Sequence, residues 1–419
     1  MQTRSAWLCK RLLLQPHMGV VVRAEQPTPY YPRAPIPRLG RMSGMAVLVT
    51  NEFPPPGYGG IERYMLRLAT EIAAAGHDLV VVAPQMPGDA SFDAQLPFRV
   101  LRFPFRAGSD GIPTLIARMA RATARAHATG KHSCTIAASW IRSGIACSLL
   151  PRVVRGRLAI MAHGSEVLSQ RNPMKKSLMR ATFSRADVVV ANSMFTAGIL
   201  GDAGIRKEPV IARCGVEARA YERCPAATPT ILSVGRLVRR KGFDRTIEAV
   251  ALLRDRFPDL RYEIAGSGPD EQYLRDRIAQ LSLERNVALL GAISDDGLRD
   301  AYARAWCFCL PTRRVGGDVE GFGIVYLEAA MAGLPAVGGI HSGAQEAIED
   351  GRSGVLVDGD DPSAIARALH GFLSDPERAA EMGYYARTRA LEQFTWRAAA
   401  ESIMTALEQR PKQAECFAP

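Results

Sequence analysis

Glu320 and Glu328 stand eight positions apart in the run EGFGIVYLE, with Gly321 and Gly323 beside the first. Arg236 and Lys241 stand five apart in VGRLVRRKG, and His163 opens the run HGSE. Carboxylates accept hydrogen bonds from hydroxyls. A guanidinium grips two anionic oxygens in a fork, and an ammonium adds a point charge, so the Arg and Lys pair suits a diphosphate. A helix start with small residues around it offers free N–H groups and a positive dipole end to an anion. Together these groups suit a ligand with both phosphate and hydroxyls, as a sugar nucleotide has. Each group also has a plainer reading. Gly-rich loops precede helices in many α/β proteins, basic turns are commonly solvated, and a lone His is commonly structural.

The elements around these residues follow from pattern. AWCFCLPT (Ala305 to Thr312) reads as a buried strand and a loop. IVYLEAAMAG reads as a helix stopped at Gly333, with Pro335 just beyond. Glu320 therefore lies on the loop that opens this helix, and Glu328 lies within it. Earlier in the chain, AVLVTNEF (Ala46 to Phe53) reads as a strand, PPPGYGG as a loop, IERYMLRLATEIAAAG as an amphipathic helix and HDLVVVAP as the next strand. That order is a βαβ unit and predicts a parallel, doubly wound sheet.

RVLRFP, TIAASW, RLAIMAHG and ADVVVANS extend the first series. His163 then falls at a strand's carboxyl end and is expected to face a crevice rather than the core. Gly57, Gly59 and Gly60 fall at the carboxyl end of the first strand, where open α/β sheets bind ligands. They let a phosphate approach or simply make the turn. Pro225 to Pro229 reads as a linker, after which TILSVG, RYEIAG, NVALLGAI, LPAVGG and GVLVDG continue the alternation. The expected organisation is α/β with two Rossmann-like doubly wound domains, 45–225 and 226–395. A closing helix and tail follow at 396–419. Residues 1–44, with Pro and Tyr enriched from Pro27 to Pro37, read as a disordered or mis-started extension.

At 419 residues the chain is long for one core. It contains no apolar run long enough to span a bilayer. The eight cysteines are scattered and mostly in apolar contexts, which fits reduced core thiols in a cytoplasmic protein better than a disulfide framework or zinc site. Charge is uneven: residues 1–225 carry 30 Lys and Arg against 14 Asp and Glu, while residues 226–419 carry 23 against 28. The basic half is expected to meet something anionic. Lys175, Lys176, Arg180 and Arg185 cluster on a predicted helix that either lies on an anionic membrane or faces solvent. Nucleic acid is disfavoured, because no recognised motif or aromatic–basic interleaving accompanies the charge.

From about Met45 to Gln409 the chain resembles the family 4 retaining glycosyltransferases of the two-Rossmann-domain (GT-B) type. EGFGIVYLE and VGRLVRRKG carry most of the likeness, with GGIE, HGSE, AGSGP and the closing FTW helix in order. The resemblance implies that Arg236 and Lys241 hold the donor diphosphate and that Glu328 binds the donor ribose. Glu320 orients the donor sugar, with backbone from Gly321 through Phe322 to Gly323. Ile324 and Val325 give N–H groups to phosphate, and Gly59 and Gly60 close on the donor. His163 contacts the sugar. The base lies near Ser267, Gly268, Ala292 and Ile293. It also implies retention at the anomeric carbon, no metal and no cofactor beyond the nucleotide-sugar co-substrate.

APQMPGDASFD, LRFP and RRVGGDVEGFGIVYLEA are similar to GDP-mannose-dependent transferases acting on phosphatidylinositol mannosides and related lipids. A GDP-sugar is thus favoured over a UDP-sugar, and a lipid-linked or glycan acceptor in cell-envelope synthesis is implied. Peripheral contact of the basic half with the inner membrane face goes with it. Cys214, Gln345 and Ser165 depart from the pattern and leave sugar and acceptor open. A UDP-sugar transferase, and an epimerase or phosphorylase of the same fold, are the competing readings. The second set of carboxylates an epimerase needs is not evident.

Overall fold

The computed structural model describes residues 45–55, 59–106, 111–130, 132–217 and 221–409. The extension read at 1–44 lies outside these, as do Gly57, Cys9 and Cys416. Among the described residues, thirteen strands fall into two parallel sheets. The first contains β1 (Met45–Val49), β2 (Leu79–Pro84), β3 (Arg99–Phe103), β4 (His132–Ala137), β5 (Arg157–Ala162), β6 (Val188–Ala191) and β7 (Val210–Ile211). The second contains β8 (Thr230–Val234), β9 (Arg261–Ala265), β10 (Val287–Gly291), β11 (Cys307–Leu310), β12 (Ala336–Gly339) and β13 (Gly354–Val357).

Most strands are apolar along most of their length because helices cover both sheet faces, as in all-parallel sheets generally, although β3 (RVLRF) and β9 (RYEIA) also carry charged residues. All six residues of β2 and all four of β6, β11 and β12 are buried. The strand orders are β3-β2-β1-β4-β5-β6-β7 and β10-β9-β8-β11-β12-β13. In each, the chain reverses its direction of travel across the sheet once, beside β1 and beside β8. Loops leaving neighbouring strands there diverge and open a crevice at the carboxyl edge. The structure places Gly59 and Gly60 after β1, Arg236 and Lys241 after β8, and Glu320 after β11.

Helix Trp396–Glu408 follows the second sheet yet packs on the first domain. Trp396 meets Tyr64 edge-on at 5.2 Å, and Arg157 Nη1 donates to the Leu407 carbonyl at 2.7 Å. The guanidinium sits on the carbonyls of the helix's last turn, where the dipole favours a cation. Among the described residues no helix is long and apolar enough to cross a membrane. Cys147, Cys214, Cys307 and Cys309 are buried free thiols, Cys134 is also buried, and Cys224 is an exposed free thiol.

Candidate active site

Glu320 is the centre of the crevice. Lys241 Nζ lies 2.5 Å from its Oε2, and Arg240 Nη1 lies 2.5 Å from the same oxygen. Arg240 Nε also reaches Asp318 Oδ2 at 3.0 Å. Burial pushes the Glu320 carboxyl up, but Lys241 and Arg240 outweigh it and hold the group at about 2. The carboxylate is therefore ionised at any working pH. The 3-10 turn Arg239–Lys241 presents both cations, and Lys241 is only 7% exposed. Both cations converge on Oε2; Oε1 has no hydrogen-bond partner among the described residues.

Two glycines make this loop possible. Gly323 caps helix Ile324–Met331 at φ +84°, in the left-handed region, and a Cβ there would meet the Tyr326 ring at 2.6 Å. A Cβ on Gly321 would meet the His163 carbonyl oxygen at 1.9 Å. Only a residue without a side chain lets the second domain's loop touch the end of β5 this closely. Phe322 between them is 2% exposed and packs on Phe394 at 5.8 Å between centroids. Its side chain belongs to the core, so the role expected of Phe322 is its backbone's alone.

His163 follows β5 as expected, but its ring is only 9% exposed. Its Nε2 donates to the Ala138 carbonyl at 2.7 Å, and the ring stands edge-on to Tyr64 at 5.8 Å. A carbonyl only accepts, so Nε2 carries the proton. The expectation that the ring faces an open crevice is corrected: it is anchored beneath the interdomain contact. Glu166 Oε1 accepts the His163 backbone N–H at 2.7 Å, which accounts for the Glu of HGSE.

Arg236 is exposed and pairs with no carboxylate among the described residues. Ser267 and Gly268 follow β9, and Gly268 packs against the Leu237 backbone so tightly that a Cβ would meet its carbonyl oxygen at 2.5 Å. Ala292 and Ile293 follow β10, whose last residue accepts the Gly266 N–H at 2.8 Å. These loops line one carboxyl edge with Arg236. Gly59 and Gly60 open helix Gly60–Ala74, and the Gly59 N–H is taken by the Glu62 carboxylate, the half of a capping box that a glycine N-cap can form. Ile324 and Val325 begin helix Ile324–Met331 and are partly buried.

Glu328 lies in that helix and is held on both oxygens. Arg63, from the first domain, pairs with Oε1, and Tyr302 donates to Oε2 at 3.1 Å. Three further hydrogen bonds among the described residues join the domains. Ser193 Oγ donates to the Gly321 carbonyl at 2.7 Å. Glu346 accepts from the Phe195 N–H at 3.1 Å and from Arg213 Nε at 2.7 Å. Sequence reading missed Arg63, Ser193, Arg213, Tyr302 and Glu346, and passed over Arg240 beside Lys241. Only Ser193 carried a signal, a polar residue at a strand's carboxyl end like His163.

Comparison with known proteins agrees with this arrangement. The family described as Glycosyltransferase Family 4 matches residues 58–219, and Glycosyl transferases group 1 matches residues 217–389. A GDP-mannose-dependent alpha-(1-6)-phosphatidylinositol monomannoside mannosyltransferase of Mycolicibacterium smegmatis is 34% identical over 373 residues, covering 84% of this chain and 95% of its own. A monoacylated-substrate counterpart from Corynebacterium glutamicum is 29% identical, covering 88% and 99%. Among solved structures, sucrose-phosphate synthase from Thermosynechococcus elongatus superposes with a TM-score of 0.74 at 22% identity, covering 86% of this chain and 98% of that one. Anabaena HepE with UDP and glucose gives 0.71 at 19%, covering 88% and 100%.

Proposed function

We infer, because the chain belongs to glycosyltransferase family 4 and has the GT-B fold, that it moves mannose from GDP-mannose to an acceptor of the cell envelope. The acceptor is lipid-linked or a glycan, and transfer retains the anomeric configuration without a metal. The observation that carries this reading is Glu320, ionised at the start of a helix, with Lys241 and Arg240 both drawn to Oε2. Oε1 is then the charged acceptor for donor-sugar hydroxyls. The cations and the helix start stand where charge grows on a departing diphosphate, and fixed charges act strongly there because they need not reorganise. The choice of GDP-mannose is supported by the GDP-mannose dependence of the relatives matched over most of their length.

Glu320 is held by Lys241 and Arg240, and Glu328 by Arg63 and Tyr302, so neither is taken as one of the acid and nucleophile carboxylates that glycosidases place across the scissile bond. Retention then proceeds by attack on the face from which the diphosphate leaves, with a diphosphate oxygen taking the acceptor's proton. The C1–O bond to phosphate breaks as the C1–O bond to acceptor forms. Arg236 is an exposed cation with no carboxylate partner among the described residues, available to the diphosphate. Solvent screens it, so Arg236→Ala is expected to cost about tenfold in turnover. Its Tm stays within a degree or so of the parent's, since no described contact is lost. Unchanged turnover removes Arg236 from the site.

Acceptor access from a membrane is supported by helix Pro173–Ser184, where Met174 is 81% and Leu178 48% exposed beside Lys175 and Lys176. Each Lys near an anionic surface contributes about 1 kcal/mol. Lys175→Ala with Lys176→Ala should therefore weaken co-sedimentation with anionic vesicles by about tenfold or more. Equal co-sedimentation of parent and double variant removes this surface from the account.

The donor is tested by thermal unfolding with GDP, UDP and ADP, each with and without EDTA. A ligand at about 100 times its Kd adds roughly 2.7 kcal/mol. GDP raising the midpoint most, with or without EDTA, is the expected result. A larger rise with UDP or ADP replaces the donor, and no rise with any of them refutes the nucleotide site.

A further inference from the structure

Glu328 is not free in this structure. Its carboxylate is shared by a guanidinium from one domain and a phenol from its own. Arg63 sits on helix Gly60–Ala74 of the first domain, 265 positions from its partner in sequence. Tyr302 is 1% exposed on helix Asp295–Arg304, and burial, with Glu328 beside it, pushes its hydroxyl well above the ordinary range. It therefore remains a donor. The side chains of Arg63 and Glu328 are 29% and 19% exposed, so solvent reaches the pair from one side. That side is a cleft between the domains. It is lined by Arg63, Arg67, Leu298, Arg299, Ile324 and Glu328.

We propose that Arg63 is a positioning residue that orients Glu328 for the donor ribose, and does so only when the two domains are closed. The inference rests on the nucleotide-sugar reading above. A carboxylate has about four lone-pair sites. Arg63 and Tyr302 each occupy one, on different oxygens, which fixes the carboxylate plane and leaves one site on each oxygen. Two vicinal ribose hydroxyls need two acceptors side by side. Arg63 uses a single Nη1 contact here, so its other N–H groups and its charge remain in a cleft that would receive a nucleoside diphosphate.

The coupling to closure is geometric. Helix Gly60–Ala74 moves with the first domain, whereas Glu328 and Tyr302 belong to the second. If the domains part, Arg63 leaves and Glu328 keeps only Tyr302. The carboxylate can then rotate about its side-chain torsions, and an ordered acceptor pair is lost. A nucleotide bound to Glu328 in turn favours closure, because affinities linked through one equilibrium are reciprocal. Arg67, one turn on, pairs with Glu217, which lies just before the interdomain connection, so this pair anchors the same helix within the first domain.

The test is a cycle of Arg63→Met, Glu328→Gln and the double variant, with GDP affinity measured by calorimetry on each full chain. Methionine retains most of the stem that packs against the cleft, and Arg63→Lys serves as a second variant. Arg63→Met is expected to weaken GDP binding about tenfold, the size of couplings between residues in contact. It should raise the donor KM with little change in kcat, and Lys should restore part of the loss. In the Glu328→Gln background the same change should have little effect.

Tighter GDP binding by Arg63→Met overturns the proposal and makes Arg63 a competitor that the ribose must displace. An equal loss in both backgrounds also overturns it, because Arg63 then acts without Glu328. Parent protein that binds no nucleoside diphosphate refutes the nucleotide reading itself, and this inference with it. Parent binding of GDP with an unaffected Arg63→Met variant refutes this inference alone.

Discussion

Lys241→Ala is expected to lower turnover by about a hundredfold or more while the protein stays folded. Removing one preorganised group that meets charge developing in a transition state typically costs a hundredfold to a thousandfold. Lys241 is a strong case because its ammonium is buried and points at the loop that opens helix Ile324–Met331. Burial lowers its proton affinity and Glu320 opposes this, so the ammonium is sustained by the same carboxylate that would orient the sugar. Folding survives the change because Arg240 still neutralises Glu320, at 2.5 Å. Steady-state kinetics with saturating donor, beside a thermal unfolding curve, separate the two effects. Near-parental turnover in a folded Lys241→Ala protein contradicts the assignment.

Glu320→Gln should reduce turnover by at least as much, with a distinctive pH signature in stability. Glutamine retains the shape but loses the charged acceptor for the sugar. It also leaves Lys241 and Arg240 without their shared counter-charge, so affinity for free GDP should hold or rise while kcat falls. The stability effect has a definite sign. The Glu320 carboxyl sits at about 2 in the folded protein, below its ordinary 4.5, so ionisation stabilises the fold. At 1.36 kcal/mol per unit this is about 3 kcal/mol. The contribution is complete above about pH 4.5 and is lost as pH falls toward about 2. Urea unfolding at about pH 7 and about pH 4 should show a gap between parent and variant that is smaller at the lower pH. A gap that widens on acidification would mean that another group dominates.

The elements were legible in the sequence for a simple reason. Parallel strands buried on both faces are continuous apolar runs, and each ends where Gly, Pro or a polar residue begins. AVLVTNEF, HDLVVVAP and ADVVVANS could hardly be anything else. The two-residue β7 carries too little pattern to be seen, and it became visible only through its pairing with β6. Gly321 and Gly323 were visible as glycines, but their necessity was not. One is required by a carbonyl from the other domain, and the other by a left-handed turn under Tyr326.

Side-chain pairings across the cleft were illegible because no local pattern encodes them. Arg63 and Glu328, Ser193 and Gly321, and Arg213 and Glu346 are each more than 120 positions apart. Arg240 was in plain view beside Lys241, yet five-residue spacing from Arg236 drew attention to Lys241 alone. His163 shows the opposite failing. Its strand-end position was read correctly, but its exposure depended on the Ala138 carbonyl from a neighbouring strand's end.

The most direct measurement is hexose transfer by mass spectrometry. Parent and Lys241→Ala proteins would each be given GDP-mannose, with EDTA present and an envelope glycolipid extract as acceptor. The account predicts release of GDP with one hexose added to a lipid by the parent, and a rate about a hundredfold or more lower for the variant. No transfer from GDP-, UDP- or ADP-sugars by the parent, or equal rates for parent and variant, would contradict it.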